Sequence, residues 1–168
     1  MFGRLRSSTA RGALRIAIGD GTDITDNILM HGPAWDMPNL LPLWFNGEVR
    51  GNDVLLPGAT GVIPFRRRFT VTGYSLPLII TGRVDIEGVP PEIEDEVWEQ
   101  LETNVQYLND NIVAPPGTTS GIRLATLTMP SGAEREAEIH VLGITPGIAT
   151  DGIMKATLDI SIPAGRFV

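Results

Sequence analysis

The segment 92–113, EIEDEVWEQLETNVQYLNDNIV, leaves the fewest structural alternatives of any part of this chain. Ile93, Val97, Trp98, Leu101, Val105, Leu108 and Ile112 return at helical spacing, which gathers them into one stripe on a 3.6-residue helix. Pro90-Pro91 supply first-turn prolines, where a helix has no use for an N–H. Glu92, Glu94, Asp95 and Glu96 bring negative charge to the positive end. Pro115-Pro116-Gly117 stops the helix, because neither proline can supply the next N–H. Almost everything else reads as strand or loop. The pattern predicts one helix laid across a β structure.

The strands announce themselves by alternation. Tyr74, Leu76, Leu78 and Ile80 alternate with Ser75, Pro77, Ile79 and Thr81, giving a strand with one rich face in which Pro77 asks for an edge or a bulge. Segments 121–129 and 134–142 flank Pro130-Ser131-Gly132 as a hairpin, with Ile122, Leu124, Thr126 and Thr128 opposed to Arg123, Ala125, Leu127 and Met129. A last strand over 153–163 places Met154, Ala156, Leu158, Ile160 and Ile162 on one side. Nineteen glycines and 13 prolines among 168 residues suit long connections, and the length suits one domain with its own core.

Charge is separated along the chain. The net charge of −7 argues against a surface that binds nucleic acid throughout. Residues 1–15 carry Arg4, Arg6, Arg11 and Arg15 with no acid, whereas 83–102 hold eight acids against one arginine. A second basic knot, Arg66-Arg67-Arg68, follows Pro64-Phe65. Its neighbours Phe65 and Phe69 allow a nucleic-acid strip, but the acidic total favours arginines that meet acids of a like subunit, head to flank. Residues 1–15 read either as a flexible basic leader or as an arm that orders against an acidic neighbour. Residues 16–46 read as an extended loop or arm. Its proline-punctuated apolar residues, Trp35, Leu41, Trp44 and Phe45 among them, either pin it to its own core or anchor it in another subunit.

Catalytic chemistry finds no constellation. Cysteine is absent, which excludes disulfides and thiolate sites. The two histidines, His31 and His140, show no metal-ligand spacing, and no GxSxG elbow or lysine-bearing phosphate loop occurs. Asp20, Asp23 and Asp26 lack the alternate spacing and final glutamate of a calcium loop. No cofactor and no enzyme are expected. No run approaches the ~20 apolar residues of a membrane span, so no membrane anchor is expected either.

The order of elements from Arg67 carries a resemblance. An arginine-started strand (RRFTVTGYSLPLIITGRVD) leads through an acidic linker to the helix with NVQYLNDNIV. A hairpin (GIRLATLTMPSGAEREAEIHVLGI) and a final strand (IMKATLDISIPAGRFV) follow. This resembles the distal tail and tail-tube proteins of long-tailed bacteriophages, in particular short minor tail proteins of actinobacterial phages. The near-absence of lysine (one, against twelve arginines) fits such a high-GC origin. The resemblance implies a mainly β (α+β) fold in which two sheets form a sandwich or split barrel flanked by the helix at about 92–113. Residues 47–168 would then be the ring domain. It further implies a structural virion protein, made in the host cytoplasm, that closes into a hexameric ring around a central channel. Its partners would be itself and neighbouring tube, hub or tape-measure proteins, with DNA passing unbound. Under this resemblance no carbohydrate-binding domain of the kind that many distal tail proteins carry is expected beside the ring domain. On this reading the interface candidates are Trp35, Leu41, Trp44, Phe45, Arg66, Arg67, Arg68, Glu94, Asp95, Glu99 and Glu102.

The alternative is a monomeric β-sandwich that binds carbohydrate through aromatics such as Trp35 and Trp44. Under the assembly reading, replacing Arg66, Arg67 and Arg68 by Glu lowers the oligomer mass while circular dichroism stays unchanged. An unaltered mass would remove those arginines from the interface.

Overall fold

A computed structural model describes residues 13–19, 27–44, 49–50, 54–55, 62–63, 68–69, 72–114 and 121–168. In chain order these form β1 (Arg15–Ile18), β2 (Ile28–Leu29), β3 (Trp35–Asp36), the one-turn helix α1 (Leu41–Trp44), β4 (Val49–Arg50), β5 (Val54–Leu55), β6 (Val62–Ile63), β7 (Arg68–Phe69) and β8 (Thr72–Thr81). The helix α2 (Val97–Leu108) then precedes β9 (Ile122–Thr128), β10 (Glu134–Thr150) and β11 (Ile153–Ile162).

Antiparallel pairing joins seven strands in the order β2-β1-β9-β10-β11-β8-β3, and two short ladders, β4-β7 and β5-β6, stand apart. The fold is mainly β with a flanking helix, and its sheet curls into a half-barrel, the split-barrel form. Alternation decides which side is filled. Leu76, Leu78 and Ile80 from β8, Leu158, Ile160 and Ile162 from β11, and Ala125 and Leu127 from β9 are all buried. They pack with Leu101, Leu108 and Ile112 of the helical segment in one core. Within the segment 16–46, strands β1, β2 and β3 belong to this same sheet, and Ile16, Ile18, Met30, Trp35, Leu40 and Leu43 belong to its core. Pro77 sits where the far edge of β8 is uncovered, because β3 pairs only with Ile79 and Ile80.

Two expectations are corrected. Ile93 and Trp98 do not belong to the buried stripe: they are 57% and 49% exposed. Ile93 is extended (φ −130°, ψ 151°) and precedes the 3-10 turn 94–96, so helical phase does not reach it. Trp98 follows the buried Val97 by one residue, which turns it about 100° away from the core. The stripe is completed instead by Asn104, which is fully buried. The second correction concerns β10, which does not end at residue 142 but continues through the Gly- and Pro-containing run 143–150. It does so because Asp151-Gly152 (φ 51° and 70°) makes a two-residue hairpin with both centres left-handed, so that Thr150 pairs with Ile153. The irregular residues are absorbed by register shifts between Val141 and Gly143 and between Pro146 and Ala149.

Three contacts fasten the helix to the sheet. Asn104 Nδ2 donates to the carbonyls of Thr81 (2.7 Å) and Val84 (2.9 Å), and its Oδ1 accepts from Gln100 (3.0 Å). Gly82 lies where any Cβ would strike the carbonyl of Val97 and the backbone of Leu101, so the helix approaches at a distance only glycine permits. At the other end the helix loosens into a π turn, Asn109–Val113. There the buried Arg123 of β9 donates from Nε to Ile112 O (3.1 Å), from Nη2 to Val113 O (3.4 Å) and from Nη1 to Ile122 O (2.9 Å). A cation at a helix C-terminus meets carbonyls that have no N–H partner and the negative end of the dipole.

Arg123→Met keeps much of the volume but leaves those carbonyls without their donor, and is expected to destabilise the fold by about 3 kcal/mol in urea denaturation. A loss below about 0.5 kcal/mol would mean that the guanidinium does not hold the helix end.

Candidate functional site

The residues singled out for assembly fall into separate regions. Trp35 is interior: its indole stacks on Tyr107 (5.7 Å between centroids, 17° between planes) and its Nε1 donates to Leu29 O (3.2 Å). Burial pushes the Tyr107 phenol above its usual pKa. Leu41 and Trp44 face outward from α1, at 54% and 40% exposed, while Leu43 between them is buried. One turn of helix thus divides its apolar residues between the core and the surface. Arg68 stands opposite Arg50 in the β4-β7 ladder. Phe45, Arg66 and Arg67 lie outside the described residues, as do residues 1–12 of the leader 1–15, whose Arg15 opens β1, and the Asp20, Asp23 and Asp26 positions.

The acidic candidates do come together. Glu94 and Asp95 occupy the 3-10 turn, and Glu99 and Glu102 continue along the exposed side of α2. Arg83 donates from Nη1 to Glu94 (3.3 Å), an exposed pair that contributes little stability but directs one carboxylate. Beside it an open cleft of about 270 Å³ is lined by Arg83, Glu94, Asp95, Val97, Trp98, Asp151 and Gly152. The sequence reading missed Trp98, Arg83 and Asp151. Trp98 was assigned to the buried stripe, and Asp151 reaches the cleft only because the Asp-Gly hairpin brings β10 and β11 up to the helix. Gly152 is required there, for a Cβ would enter the Val97 side chain and its φ is positive.

The sheet's other face carries polar and acidic side chains, with Leu142 exposed among them. Across β8, β11 and β10, Asp159 accepts from Ser75 (2.6 Å) and from Thr145 (2.8 Å), and Glu134, Glu136 and Glu138 alternate outward along β10. No cluster of three metal-ligating side chains occurs among the described residues. His31 has a structural place. Its Nε2 accepts from the Ile16 N–H (3.3 Å), which leaves Nδ1–H to donate to Asp36 (2.9 Å) and ties the 31–36 turn to β1. Burial lowers its pKa below 6.5, and Asp36 offsets only part of that. A proton on Nε2 would break the bond to Ile16.

No protein-family model matches this chain, and no curated protein matches it in sequence. Solved structures do share its fold. A chain of the phage P2 baseplate in its activated conformation with calcium aligns with a TM-score of 0.59 at 14% identity, over 89% of this chain and 44% of that one. The same baseplate with strontium gives 0.58 at 14% identity, over 90% and 44%. The Dit protein of phage SPP1, described as a hub of the adsorption apparatus in phages infecting Gram-positive hosts, gives 0.46 at 16% identity, over 91% and 51%. This chain therefore spans about half the length, or less, of each of them. What it shares with the baseplate chains is the fold: a mainly β half-barrel with a flanking helix.

A histidine held neutral in the folded state favours unfolding once the unfolded chain binds its proton. Its contribution is fully present above pH 6.5 and is lost as the pH falls through and below that value. The melting temperature should therefore fall between about pH 7.5 and pH 5, and His31→Asn should flatten part of that fall. Identical slopes in both proteins would place the titrating group elsewhere.

Proposed function

We propose that this chain is a structural subunit of a bacteriophage tail, a tail-tip, tube or adaptor protein that works by assembling with copies of itself into a ring around a channel. The observation that carries the reading is the fold shared with the P2 baseplate chain over nine-tenths of this chain. Three features of the molecule agree with it. Charge is divided between an arginine-bearing N-terminal segment and an acidic helix face, the complementary flanks that a heterologous ring needs. Leu41, Trp44 and Trp98 offer exposed apolar contacts. A polar, acid-bearing sheet face, if turned to a channel, would repel phosphate and let DNA pass. Neighbouring tail proteins are the expected partners, and the virion the expected location.

The rival carbohydrate-binding reading relied on Trp35 and Trp44 as a pair of surface aromatics. Trp35 is stacked in the core, which leaves Trp44 of that pair at the surface; Trp98 is the other exposed indole. Native mass spectrometry and negative-stain imaging across concentration and salt test the proposal. A six-fold ring of roughly 110 kDa, six copies of the 18.1 kDa chain, is the expected particle. A concentration-independent monomer whose Trp44 fluorescence responds to a sugar would replace it with the rival.

A further inference from the structure

The outer side of α2 leaves Trp98 half exposed in a chain with three tryptophans. The indole lines the cleft together with the carboxylates of Glu94, Asp95 and Asp151, and Arg83 is engaged by Glu94. An aromatic face beside carboxylates fits a guanidinium: the ring attracts the cation, and the carboxylate oxygens accept its planar N–H groups. Ile93 and Val89, exposed just before the helix, add apolar area for a segment that mixes arginine with apolar residues. Outside the described residues that composition occurs briefly at Phe65-Arg66-Arg67 and, over a longer run, in residues 1–12. Residues 1–12, MFGRLRSSTARG, carry Arg4, Arg6 and Arg11 with Phe2 and Leu5 and no acid, opposite in sign to the eight acids of 83–102.

We propose that the Trp98 cleft receives the N-terminal segment, residues 1–12, of a neighbouring copy, with an arginine lying against the indole and pairing with Asp95 and Asp151. The inference rests on the reading of this chain as a self-assembling subunit, and it names one of the contacts. Reach along the sheet favours the neighbouring copy as donor. Arg15 opens β1 opposite Thr128, which pairs in turn with Glu134 at the start of β10, whereas the cleft lies beyond Thr150 at the far end of that strand. The 17 residues of β10 span about 55 Å at strand geometry. The chain from Arg15 back to Arg6 or Arg4 covers only about 30 to 40 Å when fully extended. Along this path a segment falls short of its own cleft, and it meets the cleft of the next copy where two subunits abut head to flank.

The sequence has no cysteine, so introduced thiols report without background. Full-length Ser7→Cys and Thr150→Cys chains, which leave every cleft carboxylate in place, are mixed and mildly oxidised, with the native mass of the unoxidised mixture read in parallel. The expected product is a mixed disulfide dimer that exceeds either homodimer. It should drop about tenfold when the Thr150→Cys chain also carries Trp98→Ala or Asp95→Lys, and about as much in 0.5 M salt. A mixed dimer no more abundant than the homodimers, or indifferent to Trp98→Ala, overturns the proposal. So does a chain bearing both cysteines that closes an internal disulfide as a monomer, since the segment would then dock on its own cleft. A ring that forms without the mixed disulfide rejects this contact and keeps the assembly reading, whereas a monomer at every concentration without it rejects both.

Discussion

A buried guanidinium holds the helix of this protein to its sheet. Arg123 occupies a position on β9 whose neighbours on the same face, Ala125, Leu127 and Met129, are apolar. Sealing a cation there would be prohibitive unless its N–H groups were met. They are met by the carbonyls of Ile112 and Val113 at the end of the π turn, and by that of Ile122. The arginine needs those carbonyls as much as the carbonyls need a donor, and this mutual requirement sets where the helix must end. At the opposite end the constraint is steric. Gly82 and Gly152 clear the space into which the backbone and Val97 settle, and Asn104 bonds across the seam. Between these two anchors the helix has little freedom to slide or rotate.

That fixed rotation determines what the molecule shows to others. With Val97, Leu101, Asn104 and Leu108 turned inward, Trp98, Glu99 and Glu102 have to face out. The tight Asp151-Gly152 hairpin then comes up beside the first turn and adds a further carboxylate. An exposed indole among acids is thus a direct outcome of how the helix is seated. The proposed assembly would need surfaces of this kind, held by rigid elements such as the helix and the long β10-β11 hairpin.

Much of this could be read from residue order because it depends on periodicity. The helix at 92–113, the hairpin around Pro130-Ser131-Gly132 and the last strand from Ile153 are local patterns in which each residue's side is fixed by its neighbours. The run 143–150 was unreadable for the opposite reason. Its glycines and proline break every local rule, and only the partner strand β11 makes it a strand, through two register shifts. Arg123 was placed on the correct alternating set, yet nothing local reveals that a charge on that set is buried, because two of its acceptors come from residues 10 and 11 positions away.

By itself the sequence determined that a β structure would carry one amphipathic helix, which strand faces would be apolar, and that basic and acidic charge would lie apart. These follow from side-chain spacing and composition. Only the tertiary structure decided that Trp35 lies in the core against Tyr107 while Trp98 lies outside it, although the pattern gave both an apolar reading. An indole's fate depends on the angle at which its element is seated. For Trp98 that angle was set by an arginine and two glycines from other parts of the chain and by Asn104 on the helix itself.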